Sequence, residues 1–180
     1  MQDVTAADAT VQLAATGDEA AFARLVTQHH ASMARVAFVI CGDPELTRDA
    51  VQAAWTVAWR RLRDVKDPAK VRAWLVAVAA NEARQAIRRQ RRMVVVDLST
   101  VAEQPGATDP ADSIAVVDLA RALRGLKPDD RSLLALRFVA GLDSTEIAAQ
   151  LGGSASGVRS RLARLIDRLR DDLGVPETDR

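Results

Sequence analysis

Apolar side chains recur at steps of three and four along nearly all of this 180-residue chain. The one long stretch where they stop, residues 94–114, is rich in proline, glycine, serine, threonine and acid. Steps of that size place side chains on one face of a helix, so the pattern demands amphipathic helices packed face to face. The break divides those helices into two groups. Composition agrees, since tyrosine is absent, phenylalanine and tryptophan number three each, and helix-forming alanine and leucine dominate.

In the first group, residues 18–40 put Phe22, Leu25, Val26, Met33, Val36 and Ala37 on one face. Gly42, Asp43 and Pro44 interrupt the run, and residues 45–62 resume it with Leu46, Ala50, Ala54, Ala58 and Leu62. The polar segment DVKDPAK, residues 64–70, reads as a loop. A third helix over residues 71–92 begins apolar (Trp74, Leu75, Val78) and ends basic. A further short helix fits before Gly17. Val94 to Val96 have strand composition but no second strand to pair with, so residues 93–113 are expected to be linker.

The second group begins with a helix over residues 114–126 and another from Pro128, where proline and the acids Asp129 and Asp130 suit a first turn. Then comes GLDSTEIAAQLGGSASGVRSRLARLIDRL, residues 141–169. Asp143 and Glu146 have the spacing of a capping box. Gly152 and Gly153 end that helix, and Ser154 caps a second one whose inward face is Val158, Leu162, Leu165, Ile166 and Leu169. This is the layout of a DNA-reading helix-turn-helix, in which the start of the second helix meets base edges and an arginine suits guanine. Spacing alone equally allows an amphipathic hairpin with solvated arginines.

The formal net charge of +1 conceals a strong asymmetry. Residues 84–92 carry Arg84, Arg88, Arg89, Arg91 and Arg92 and no acid, whereas residues 93–118 carry Asp97, Glu103, Asp109, Asp112 and Asp118 and no base. The single Cys41 excludes an internal disulfide and a cysteine-rich zinc site, and its apolar setting predicts a buried, inert thiol. His29 and His30 are adjacent, so on a helix they point about a hundred degrees apart and cannot easily share a metal. No phosphate-binding glycine loop or nucleophile motif appears, so neither enzyme chemistry nor a metal or cofactor is expected. No apolar run approaches membrane-spanning length and no leader pattern stands at the start, which predicts a cytoplasmic protein without membrane insertion of its own.

Four segments in order, GDEAAFARLVTQHH, LTRDAVQAAWTVAWRRL, VRAWLVAVAANEARQAIRRQRR and the terminal helix-turn-helix, resemble the extracytoplasmic-function sigma factors of bacterial RNA polymerase. The matching positions are Asp49, Gln52 and Trp55 in the second segment and Trp74, Leu75, Asn81, Arg88 and Arg89 in the third. The resemblance implies an all-α protein of two small helical domains joined by a flexible acidic linker, residues 1–92, 93–113 and 114–180, the second ending in the helix-turn-helix. It implies core RNA polymerase, promoter DNA as duplex and as melted strand, and an anti-sigma factor as partners.

By the same resemblance, Asp49, Gln52, Trp59 and Arg60 bind polymerase. Asn81, Arg84, Arg88, Arg89, Arg91 and Arg92 serve the minus-ten element, and Ser156, Arg159, Ser160, Arg161 and Arg164 the minus-thirty-five element. Trp55 and Trp74 are expected in the core. The linker is expected to be a flexible solvated tether, and the resemblance implies that it threads toward the nascent RNA path, where its acids could mimic nucleic-acid charge. The chain departs from the family pattern at Val71, Gln85, Gly153 and Gly157, and a glycine inside the reading helix costs about 1 kcal/mol against alanine. The competing expectation is a helix-turn-helix regulator that binds duplex DNA without polymerase.

Overall fold

A computed structural model describes residues 2–96 and 114–174, and all regular structure among them is helical. Helix α1 (Gln2–Ala15) lies against α2 (Glu19–Cys41) through Val11 and Ala14. Asp18 starts α2 by accepting a 2.6 Å hydrogen bond from the Ala21 amide. Gly42 ends it in the left-handed conformation, φ +70°, its amide donating to the Phe38 carbonyl at 2.8 Å. Asp43 then caps α3 (Pro44–Arg61), with Pro44 in the first turn where no donor is lost. The GDP triplet is therefore a stop and a start joined directly.

Single helical turns at Leu62–Asp64 and Pro68–Lys70 shape the segment expected as plain loop, the second held by Asp67 accepting from the Ala69 amide. Helix α4 follows (Val71–Val96). It continues through Val94 to Val96, so these residues are helical and not the strand their composition allows. The i−4 hydrogen-bond ladder carries on because no glycine or proline interrupts it there. The acidic linker, including its expected path, lies outside the described residues.

Helices α2, α3 and α4 meet through very small side chains. Ala21, Ala37, Ala50, Ala54, Ala58, Ala79, Ala80 and Ala83 are all fully buried, with Leu25, Met33, Val36, Ile40 and Val76 filling the space between. The second group comprises α5 (Ile114–Gly125), α6 (Pro128–Leu134), a wide turn over Ala135–Val139, α7 (Ser144–Leu151) and α8 (Ala155–Leu173). The wide turn interrupts what the spacing predicts as one helix, the Ala140 amide reaching back five residues to the Ala135 carbonyl.

The two helical groups are in contact. Helix α6 and the wide turn pack on α2 and α4, α7 packs on α4, and the buried apolar residues form one cluster running from Val11 to Leu165. Leu136, on the wide turn, is fully buried. Among the described residues no helix is long and apolar enough to cross a membrane.

His29 on α2 is buried, and that burial, followed by the positive charge of Arg72, lowers its pKa from the ordinary value of 6.5. A histidine held neutral in the fold binds fewer protons than the same residue unfolded, so stability falls as pH drops below the unfolded value toward the folded one. The urea midpoint is expected to fall between about pH 7.5 and 5.5, and the loss to shrink in His29→Gln. Leu136→Ala should cost about 2–5 kcal/mol, read from the same denaturation curves.

Candidate nucleic-acid interface

Three surfaces carry the residues singled out by sequence. The first lies on α3. Asp49, Gln52, Trp59 and Arg60 are all exposed there, because the opposite face of the helix is committed to Ala50, Ala54 and Ala58. Gln52 and Trp59 line an open apolar groove of about 810 Å³ between α2 and α3, together with Val26, His30, Trp55 and Thr56. Asp49 and Arg60 stand outside that lining, Arg60 beside a hollow near Thr16 and Gly17.

Trp55 and Trp59 line the groove, and Phe22 packs against both from an adjoining hollow. Phe22 meets the Trp59 ring edge-on with centroids 4.8 Å apart and the Trp55 ring at 5.6 Å. Trp55 is half-buried, its indole N–H donating to His30 Nδ1 at 3.3 Å, whereas Trp59 keeps 42% of its surface exposed. His30 escaped the sequence reading because its partner lies 25 positions away on another helix.

The second surface is the basic half of α4. Arg88, Arg89, Arg91 and Arg92 are exposed, and Arg92 Nε donates to the Arg88 carbonyl. Arg84 is different, for its side chain is only 17% exposed. Its guanidinium donates to Asn81 Oδ1 at 3.2 Å and to Asp129 Oδ1 at 3.2 Å, and Arg88 reaches the same Asp129 oxygen at 3.5 Å. Two of the five arginines are thus paired with an acid from α6. Neighbouring Glu82 is buried but satisfied, accepting from Gln85 Nε2 at 2.9 Å and Asn81 Nδ2 at 3.4 Å.

The third surface is the helix-turn-helix. Its capping box is complete: Asp143 Oδ1 accepts from the Thr145 and Glu146 amides, and Glu146 Oε2 accepts from the Asp143 amide at 2.8 Å. Gly152 and Gly153 turn the chain with φ of +77° and +115°. Ser154 Oγ accepts from the Gly157 amide at 3.1 Å, and a Cβ on Gly157 would stand 3.1 Å from that same oxygen. The glycine in α8 therefore leaves room for the cap that starts the helix.

Val158, Leu162 and Leu165 bury the inner face of α8 and leave Ser156, Arg159, Ser160 and Arg164 exposed. Arg161 is held instead, its Nε and Nη2 donating to Asp130 Oδ1 at 3.0 and 2.6 Å. Asp130 thereby ties α8 to α6. Burial pushes the Cys41 thiol up to about 11, as an inert thiol requires. Among the described residues no three histidine, cysteine or carboxylate groups gather where they could hold a metal ion.

Residues 25–93 match the family model for sigma-70 region 2, and residues 117–169 match that for sigma-70, region 4. The chain is 30% identical over 174 residues to the ECF RNA polymerase sigma factor SigL of Mycobacterium tuberculosis, covering 93% of this chain and 98% of that one. It is 30% identical over 168 residues to the probable RNA polymerase sigma factor RfaY of Xanthomonas campestris pv. campestris, covering 89% of this chain and spanning only 42% of that relative's length. A solved structure of CnrH in complex with the cytosolic domain of CnrY superposes with a TM-score of 0.68 at 26% identity, covering 94% of this chain and 98% of that one.

Gly153 has a φ of +115° with open space around it, so a side chain there is opposed by backbone strain rather than by crowding. Gly153→Ala is expected to destabilise the protein by roughly 1–3 kcal/mol, a fall of several degrees in Tm. Calorimetry checks this directly.

Proposed function

The chain belongs to the extracytoplasmic-function sigma factors of RNA polymerase, and from that premise we propose that it binds core polymerase and directs it to a specific set of promoters. The observation that carries this reading is the combination of a groove between α2 and α3 lined by Trp55 and Trp59, exposed arginines at Arg88, Arg89, Arg91 and Arg92 on α4, and a capped helix-turn-helix over α7 and α8. The division of labour follows chemistry. A protein–protein contact is best served by an aromatic anchor in a groove ringed by polar groups, which Trp59 and Gln52 supply, with Asp49 and Arg60 at its margin.

Melted DNA needs cationic groups along a phosphate path and an amide able to pair with an unstacked base. Arg88, Arg89, Arg91 and Arg92 provide the first and Asn81 the second, with Arg84 joining them once released from Asp129. Duplex recognition falls to Ser156, Arg159, Ser160 and Arg164 at the exposed start and flank of α8. Arg161 contributes by fixing the helix against α6. We assign residues 1–92 to polymerase binding and minus-ten recognition and residues 114–180 to minus-thirty-five recognition, with the segment beyond the end of α4 as tether.

The protein acts by binding rather than catalysis, in the cytoplasm where polymerase works. An anti-sigma factor is the expected antagonist, in keeping with the CnrH–CnrY complex. A duplex-only regulator leaves the groove between α2 and α3 and its tryptophan lining without a purpose.

Run-off transcription with core polymerase on a promoter library tests the reading, and absence of specific starts alongside tight duplex binding by the free protein would overturn it. Trp59→Ala is expected to weaken core binding about tenfold or more, and Gln52→Ala less. Paired Arg89→Ala and Arg92→Ala changes should leave core binding intact while weakening promoter opening and flattening its salt dependence, as measured by permanganate footprinting over a salt series.

A further inference from the structure

We propose that His30 is a positioning residue for the groove between α2 and α3. Its unprotonated Nδ1 holds the Trp55 ring in place, so the groove changes shape, and core binding weakens, when the imidazole takes up a proton. This rests on the proposed polymerase-binding role of that groove.

An indole N–H donates and cannot accept, so the 3.3 Å hydrogen bond from Trp55 Nε1 requires a bare Nδ1 on His30. The imidazole is then neutral and carries its proton on Nε2. Once both ring nitrogens are protonated, each is a donor and the bond from Trp55 is lost. Two N–H groups would face each other at hydrogen-bond distance, and one ring must turn away. His30 is exposed and Trp55 half-buried, so the imidazolium turns to water and leaves the indole held by ring contacts alone.

Those contacts carry the change along the groove. Phe22 meets Trp55 at 5.6 Å and Trp59 at 4.8 Å, edge-on to both, so a shift of the Trp55 ring reaches Trp59 through one intermediary. His30, Trp55 and Trp59 line the same space of about 810 Å³, with Val26, Ala34 and Val51 as its apolar wall. Trp59 is the aromatic anchor assigned to polymerase, and His30 acts on it at two removes.

The surrounding charge disfavours the protonated form. Among the lining residues Arg48, from α3, is the one permanently charged side chain, and no carboxylate joins it. Glu19 stands in the adjoining hollow. Helices α1, α4 and α6 also pack on α2 but contribute nothing to this lining. An imidazolium therefore places a second positive charge beside Arg48 and against an apolar wall. His29 is buried and lies outside the groove lining, so the two histidines can be followed separately.

The full chain has three tryptophans and thus three indole N–H signals in a proton–nitrogen correlation spectrum, and Trp55→Phe identifies the one from Trp55. In the unaltered protein that signal is expected to move over the same pH interval in which the His30 imidazole C–H signal titrates. It should stay in place in His30→Gln, whose side-chain oxygen accepts the indole N–H and takes up no proton. In His29→Gln the movement should persist.

Binding of the labelled full chain to core polymerase, read by anisotropy on either side of the His30 titration, should weaken about two- to tenfold on the acid side, the scale of one net hydrogen bond. His30→Gln should lack that step, and His30→Ala, with no acceptor, should bind weakly on both sides. Polymerase and His29 are common to all three chains, so the difference between them isolates His30. A Trp55 signal indifferent to His30 protonation, or a step of equal size in His30→Gln, would overturn the proposal. A coupled His30–Trp55 pair in a chain that binds no core polymerase at any pH would instead remove the polymerase reading and leave the positioning of Trp55 standing.

Discussion

The close approach of α2, α3 and α4 through alanine is the contact on which the rest of the molecule depends. Alanine at Ala37, Ala50, Ala54, Ala58, Ala79, Ala80 and Ala83 lets the helices pack with little side-chain volume between them, at no cost in rotamer entropy and with the best helix propensity. With the core satisfied by such small groups, Phe22, Trp55 and Trp59 cluster on the outer faces of α2 and α3. There Trp55 and Trp59 line a groove, with Phe22 packed edge-on against both rings. On α4 the apolar face is buried as far as Ile87, while Arg88, Arg89, Arg91 and Arg92 beyond it are exposed.

Electrostatics then assigns different tasks to chemically identical side chains. Arg88 and Arg89 are adjacent, yet only Arg88 shares Asp129 with Arg84. Arg159 and Arg164 are exposed on α8, while Arg161 between them is anchored to Asp130. Two consecutive aspartates in one first turn thus hold arginines of different helices, Asp129 two on α4 and Asp130 one on α8. Their ordinary service to the helix dipole accounts for their position, and the arginines account for their influence.

Much of this was legible in sequence where the deciding interaction is local. The Asp143–Glu146 box, the Ser154 cap and the Gly42–Asp43–Pro44 junction join residues within a few positions, so spacing alone reveals them. The inward face of α8 was legible for the same reason. The extension of α4 through Val96 was not, because valines suit strand and helix alike and the run ends without a glycine or proline. Gly157 read as a defect in the reading helix, and only the position of Ser154 Oγ explains it. Trp55 and His30, Arg84 and Asp129, and Arg161 and Asp130 are separated by 25, 45 and 31 positions, and no periodicity reports such pairs.

By itself the sequence determined the helices, their caps, their inward faces and the order of segments that places the chain among the sigma factors. These follow from backbone hydrogen bonding and from the burial of apolar faces, both of which act over one or two turns. The tertiary structure alone decided which arginines are free, which are held, and that the two groups of helices share one seam. A guanidinium's partner is chosen by distance in space, and a charge in the chain carries no mark of the carboxylate that folding brings to it.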